Sequence, residues 1–333
     1  MISADLATIW AAILAFAVFA YAVLDGFVLG VGILFPRFAP GDTRDQAMNA
    51  IAPVWDSNQT WLILGGGGLF AAFPLAYAIL MTAVYPPICA MLLALIFRGV
   101  AFKFRWRNPA HRPFWDFGFW AGSTMAAFCQ GVILGALLQG VTVVDRAYGG
   151  GWLDWLTPFS LLTGFSVVAG DALLGSCWLI AKTEGEAERI AYRLARWTGA
   201  LTVLAIVAVS AATPFLAHSY VTRWFTFPGV LITAQVPLLI TIVAVIFWRA
   251  LMRRRRLAPL FLAVGLFALS FVGLGISMFP YVIPRSVTIW DAAAPAASQA
   301  FMLVGAGLML PVILAYTAWS YWVFWGKVGK GYY

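Results

Sequence analysis

Nine stretches of this chain are apolar for about the 20 residues a helix needs to cross a bilayer, and no other feature limits the fold as much. They run roughly over 7–35, 52–73, 75–102, 114–142, 157–181, 197–217, 229–248, 257–283 and 300–325 of 333 residues. Charged residues make up only 10% of the chain, against about 25% in soluble domains, too few to clothe a water-soluble globule. A cytosolic enzyme, a disordered chain and a nucleic-acid binder are excluded, and the net charge of +8 is read against the membrane. The runs are too long, and lack the apolar/polar alternation, for barrel strands. The expectation is an all-α polytopic membrane protein, one integral domain over 1–333 with nine transmembrane helices. Pro74 separates the second and third runs and predicts a tight hairpin. No signal peptide is evident, since the N-terminus lacks a basic n-region.

Orientation follows from the basic residues. Arg37, Arg44, Lys103, Arg105, Arg107, Arg112, Lys182, Arg189, Arg193, Arg196, Arg249, Arg253 to Arg256, Lys327 and Lys330 fall in odd-numbered loops and the C-terminal segment. Only Arg146, Arg223 and Arg285 fall in the even-numbered loops. Positive loops stay in the cytoplasm, so the N-terminus is expected outside and the C-terminus inside. Arg253 to Arg256 read as a topology anchor at lipid headgroups.

Ionisable groups at membrane depth are costly and mark function or a buried pair. Asp25, Asp56, Arg98 and Asp116 gather in the inner half of the first four runs, and Asp171 stands near mid-membrane in the fifth. Asp25 lies about 18 residues, or ~27 Å, from the outer end of its run. Trp55-Asp56-Ser57-Asn58-Gln59-Thr60-Trp61 adds hydrogen-bonding side chains. Two readings stand side by side: a polar inlet admitting protons or a small cation from the cytoplasm, or an Arg98–carboxylate pair that fixes helix register. Asp116 reads as a helix N-terminal acid favoured by the dipole. Asp171 is expected to hydrogen-bond a neighbouring helix rather than to line a path. Gly26/Gly30 and Gly131/Gly135 are spaced four apart, as close helix contacts in membranes require. The run Gly65 to Gly68 is expected to be held by dense packing rather than unwound as a transporter's substrate site.

Redox ligands are scarce. His111 lies in a basic loop and His218 at the outer end of the sixth run, so neither offers a membrane haem an axial nitrogen inside a span. Cys89, Cys129 and Cys177 lie within apolar runs and read as small buried hydrophobes. Trp319, Trp322 and Trp325 read as an interfacial belt. The stretch Lys182-Thr-Glu-Gly-Glu-Ala-Glu reads as a solvated loop.

Several motifs resemble subunit II of cytochrome bd-type quinol oxidases. They are Leu24-Asp25-Gly26-Phe27-Val28-Leu29-Gly30-Val31-Gly32; Ala52-Pro53-Val54-Trp55-Asp56-Ser57-Asn58-Gln59-Thr60-Trp61-Leu62-Ile63 through the glycines to Pro74; Phe97-Arg98-Gly99-Val100-Ala101-Phe102; Met278-Phe279-Pro280-Tyr281-Val282-Ile283-Pro284; Trp290-Asp291-Ala292; and Leu314-Ala315-Tyr316-Thr317-Ala318-Trp319. They follow family order along essentially the whole chain, and the compact length is similar to the cyanide-insensitive branch. The resemblance implies two four-helix bundles and one peripheral helix in the bacterial cytoplasmic (inner) membrane. It implies a haem-bearing subunit I as partner, with a small single-helix subunit as a further candidate. Subunit I of such oxidases carries two b-type haems and one d-type haem, or b-type only in some members, and oxidises quinol while reducing oxygen to water. Subunit II is implied to bind no haem, and a structural quinone occupies it in some members. Asp56 and Asp25 match acids associated with a cytoplasmic proton route, with Arg98 beside them.

Two departures fall in the inner half: Val28 and Lys103 stand where the family often has acids. They place the burden of any inlet on Asp25 and Asp56, or move the main proton route into subunit I. Composition alone would also allow a secondary transporter or proton-coupled permease. The lack of paired broken helices and the sparse polar lining argue against it.

Overall fold

Helix α1 (Ile2–Leu34), the short α2 (Asp42–Asn49), α3 (Thr60–Ala72), α4 (Pro74–Ala83), α5 (Tyr85–Arg107) and α6 (Arg112–Gln139) form the first half of the chain. The second half holds α7 (Pro158–Lys182), α8 (Gly185–Ala212), α9 (His218–Phe225), α10 (Gly229–Thr233), α11 (Gln235–Met252), α12 (Ala258–Met278) and α13 (Ala296–Val323). This computed structural model describes residues 2–328; Lys330 of the orientation argument lies outside them. Among the described residues, eight helices are long and apolar enough to cross a membrane.

The expected second run is realised by α3, whose 13 residues rise only about 20 Å against a hydrocarbon core of ~30 Å. The expected third run, 75–102, does not form one helix. Pro74 opens α4, the chain breaks at Val84, and α5 starts afresh at Tyr85. Pro86 and Pro87 explain the break, because neither supplies a backbone N–H to the preceding turn and both suit the first turn of a new helix. The acidic stretch after Lys182 is not a loop either. Helix α8 begins at Gly185 with Glu186 and Glu188 in its first turn, where the helix dipole favours acids. Strands do occur, as two short hairpins in the connections: β1 (Val143–Val144) with β2 (Ala147–Tyr148), and β3 (Tyr281–Ile283) with β4 (Val287–Thr288).

Helix α7 is the hub. It packs against α1, α6, α8 and α12, and every residue from Gly170 to Lys182 is buried. Its start is set by a capping box: Thr157 accepts from the Ser160 amide at 3.0 Å, and the Thr157 amide donates to Ser160 Oγ at 2.9 Å. Glycine sets its close contacts. A Cβ on Gly30 would stand 1.8 Å from the Asp171 carbonyl oxygen, and one on Gly131 would stand 2.3 Å from that of Thr163. Helix α13 lies against α1 and buries only Gln299 among its described residues.

The basic segments meet at one end. Arg105 bridges Asp116 at 2.5 Å and Asp45 at 2.6 Å, and Arg44 holds Asp116 at 2.8 Å. Lys182 donates to the Phe324 carbonyl at 2.5 Å, Lys327 pairs with Glu188 at 3.1 Å, and Arg256 donates to the Ala181 carbonyl at 3.0 Å. Trp178 joins the two groups by donating to the Ala50 carbonyl at 2.9 Å. The opposite end is closed by α4 and the hairpins. There Ala294 N–H donates to the Ala72 carbonyl at 2.9 Å, and Arg285 donates to that of Gln139.

Candidate functional site

Asp25 on α1 is buried and meets Arg98 of α5. Arg98 Nη1 stands 3.1 Å from Asp25 Oδ1, with the two side chains 1% and 0% exposed. An isolated charge at such a depth would be untenable, and pairing is what makes either residue tolerable. The pair is not saturated: Asp25 Oδ2 and Arg98 Nε and Nη2 are buried without a hydrogen-bond partner. The third sequence-predicted residue, Asp56, does not join it. It is exposed on the surface of this chain, at the start of the 3-10 turn Ser57–Gln59. It lies there because the polar segment 56–59 forms turns, and so does not take its place in an apolar helix.

The motif around Asp56 reaches the buried pair through Asn58. This 1% exposed residue donates to the Leu24 carbonyl at 2.6 Å, one residue before Asp25, and accepts from the Tyr321 hydroxyl at 3.0 Å. Tyr321 belongs to an aromatic group with Phe27 and Trp178, whose rings stack 4.1 Å apart. Trp55 stacks on Phe102 at 4.9 Å beneath the ammonium of Lys103. Val28 is fully buried, so the departure there substitutes packing for charge.

Asp116 is no mere dipole acid, for it ties Arg44 and Arg105 together. Asp171 contradicts its expectation more directly. It is 1% exposed, its Oδ2 has no partner, and it lies within electrostatic reach of Asp25 and Arg98. Spacing could not reveal this meeting, since it depends on how α1 crosses α7; the only signal was an acid alone in an apolar run. The four glycines also divide. Gly68 faces Leu14, whereas Gly66 and Gly67 have open space around them on a continuous helix, next to exposed Ile63 and Phe70. Dense packing within this chain does not account for them.

His111 and His218 are both exposed, one between α5 and α6 and one at the start of α9. Among the described residues, no three His, Cys, Asp or Glu side chains are grouped as a metal set. The three cysteines are free.

Comparison with known proteins is consistent along the chain. The family model for cytochrome bd terminal oxidase subunit II matches residues 6–324. Cytochrome bd-I ubiquinol oxidase subunit 2 of Escherichia coli strain K12 is 31% identical over 365 residues, covering 97% of this chain and 95% of the relative. Cytochrome bd ubiquinol oxidase subunit 2 of Bacillus subtilis strain 168 is 29% identical over 344 residues, covering 98% and 97%. The fold is similar to a chain in the structure of bd oxidase from Geobacillus thermodenitrificans, with a TM-score of 0.77 at 18% identity, over 96% of this chain and 99% of that one.

Proposed function

The chain belongs to the cytochrome bd terminal oxidase subunit II family, and from that membership we propose that it acts as the haem-free member of its complex, bracing a haem-bearing subunit I and lending it a cytoplasmic proton path. It is a subunit of a terminal quinol oxidase complex and a multi-pass protein of the inner membrane. In this reading α1, α3, α5 and α6 form one four-helix bundle, and α7, α8, α11 and α12 the other. Helix α13 is peripheral, α3 is the ninth crossing, and the basic end faces the cytoplasm. The b-type haems, any d-type haem and the quinol site belong to the partner. A structural quinone and a small single-helix subunit are further proposed occupants of the complex.

The observation that carries the proton role is the chain of polar contacts from the surface inward. Exposed Asp56 begins the turn that holds Asn58, Asn58 grips the α1 backbone at Leu24, and Asp25 follows, buried against Arg98. A carboxyl at the surface can collect a proton, and a buried carboxyl with a free oxygen can accept one. The open glycine face of α3, too short to cover itself, supports a partner helix seated there. The test is Asp56→Asn in the assembled complex, with slower quinol oxidation at unchanged haem spectra as the expected result. Normal turnover would remove Asp56 from the path, and loss of the haems would assign it to the scaffold.

A further inference from the structure

Beside the Asp25–Arg98 pair stands a second acid. Asp171 enters from α7 at a place where α1 has no side chain: a Cβ on Gly26 would lie 2.9 Å from Asp171 Oδ1 and 3.0 Å from Leu174 Cδ1. The carboxyl therefore occupies room that only glycine leaves. Tyr21 and Asp25 of α1 and Arg98 of α5 face it, and Gln130 of α6 donates to the Tyr21 hydroxyl at 2.9 Å. The other helices packed on α7 bring no charge to this depth. The charged residues of α6 end at Asp116, those of α8 end at Arg196, and α12 has none.

The charge count is two carboxyls to one guanidinium, all at most 1% exposed. Two ionised acids here would leave a net negative charge in hydrocarbon, which costs several kcal/mol. Like acids that share one site avoid this by dividing a proton between them. Arg98 Nη1 serves Asp25 at 3.1 Å, and its Nε and Nη2 are buried without a partner, as is Asp171 Oδ2. We propose that Asp25 and Asp171 form a proton-sharing carboxyl pair over Arg98, one acid ionised against the guanidinium and the other carrying the proton.

The cluster is neutral with one proton, negative with none and positive with two. A proton arriving at Asp25 is therefore exchanged one for one with the proton already held. That exchange extends the proton path proposed above and rests on it; the shared proton itself does not.

The test uses the assembled complex with Asp25→Asn, Asp171→Asn and the double variant. Haem content reports assembly, and the infrared carbonyl stretch of a protonated carboxyl reports the shared proton. Each single variant is expected to retain its haem, because one acid remains for Arg98, and the double variant is expected to lose it. The parent-minus-variant infrared difference is expected to show one protonated carboxyl missing in either single variant. Haem loss in Asp171→Asn alone, or in Asp25→Asn as complete as in the double, would overturn the proposal. So would an unchanged infrared band in Asp171→Asn. If the bands behave as expected while both single variants turn over normally, the shared proton stands and the proton path fails.

Discussion

Gly30→Ala tests the tightest helix crossing in the protein. The new methyl would stand 1.8 Å from the Asp171 carbonyl oxygen, 2.6 Å from its carbon and 2.8 Å from the Gly175 nitrogen. Ordinary contact begins at 3.4 Å, so α1 and α7 must separate by about 1.6 Å, and no rotamer relieves a backbone clash. Overpacking of this kind costs about 1–3 kcal/mol. Alanine's better helix propensity returns at most ~1 kcal/mol. The separation also opens contacts around Val31, Leu173 and Leu174, all fully buried. We expect a net loss of about 2 kcal/mol, a change of several-fold to ~30-fold in the folded ratio. The assay is the half-life of the detergent-solubilised complex at elevated temperature, followed by haem absorbance. Gly275→Ala on α12, which meets nothing within 4 Å and lies away from the glycine face of α3, is the control and should match or exceed the parent. Equal half-lives for Gly30→Ala and Gly275→Ala would refute the reasoning.

Three further outcomes follow from the contacts. Asp116→Ala leaves Arg105, 1% exposed, with Asp45 alone, and should cost about 3 kcal/mol; limited proteolysis between residues 37 and 59 should accelerate, and unchanged cleavage would count against the network. Tyr321→Phe removes the hydrogen bond to Asn58, worth about 1 kcal/mol, and in a double-mutant cycle with Asn58→Leu the two losses should fall short of additive. Asp291 accepts from Thr288 Oγ1 at 2.6 Å and from its amide at 3.2 Å, which holds its carboxyl below the ordinary range. Its small contribution is thus present above the ordinary carboxylate pKa and lost as pH falls through the lowered value; Thr288→Val should flatten that acid limb in thermal inactivation measured across pH.

Membrane class and the glycine crossings were legible because both depend on composition and on spacing along one helix. Gly26/Gly30 and Gly131/Gly135 do sit where α1 and α6 meet α7. The third run was misread because apolarity continues through Val84, although Pro86 and Pro87 signalled a new start. Asp56 was grouped with Asp25 and Arg98 because all three fall in the inner half of their apolar runs. Five polar residues in succession favour turns, and the turn exposes it. The meeting of Asp171 with Asp25 and Arg98 was illegible, since it joins residues 146 positions apart on crossing helices. Asp116 resembled a dipole acid because its partners, Arg44 and Arg105, come from two other segments.

The proposed division of labour between this chain and its partner is that the fold braces and the haem chemistry lies in the partner. The direct measurement is haem content per polypeptide, after the complex is purified in mild detergent and its subunits are separated under conditions that retain bound haem. All haem should follow the partner, with this chain colourless and intact. Stoichiometric haem on this chain would contradict the account.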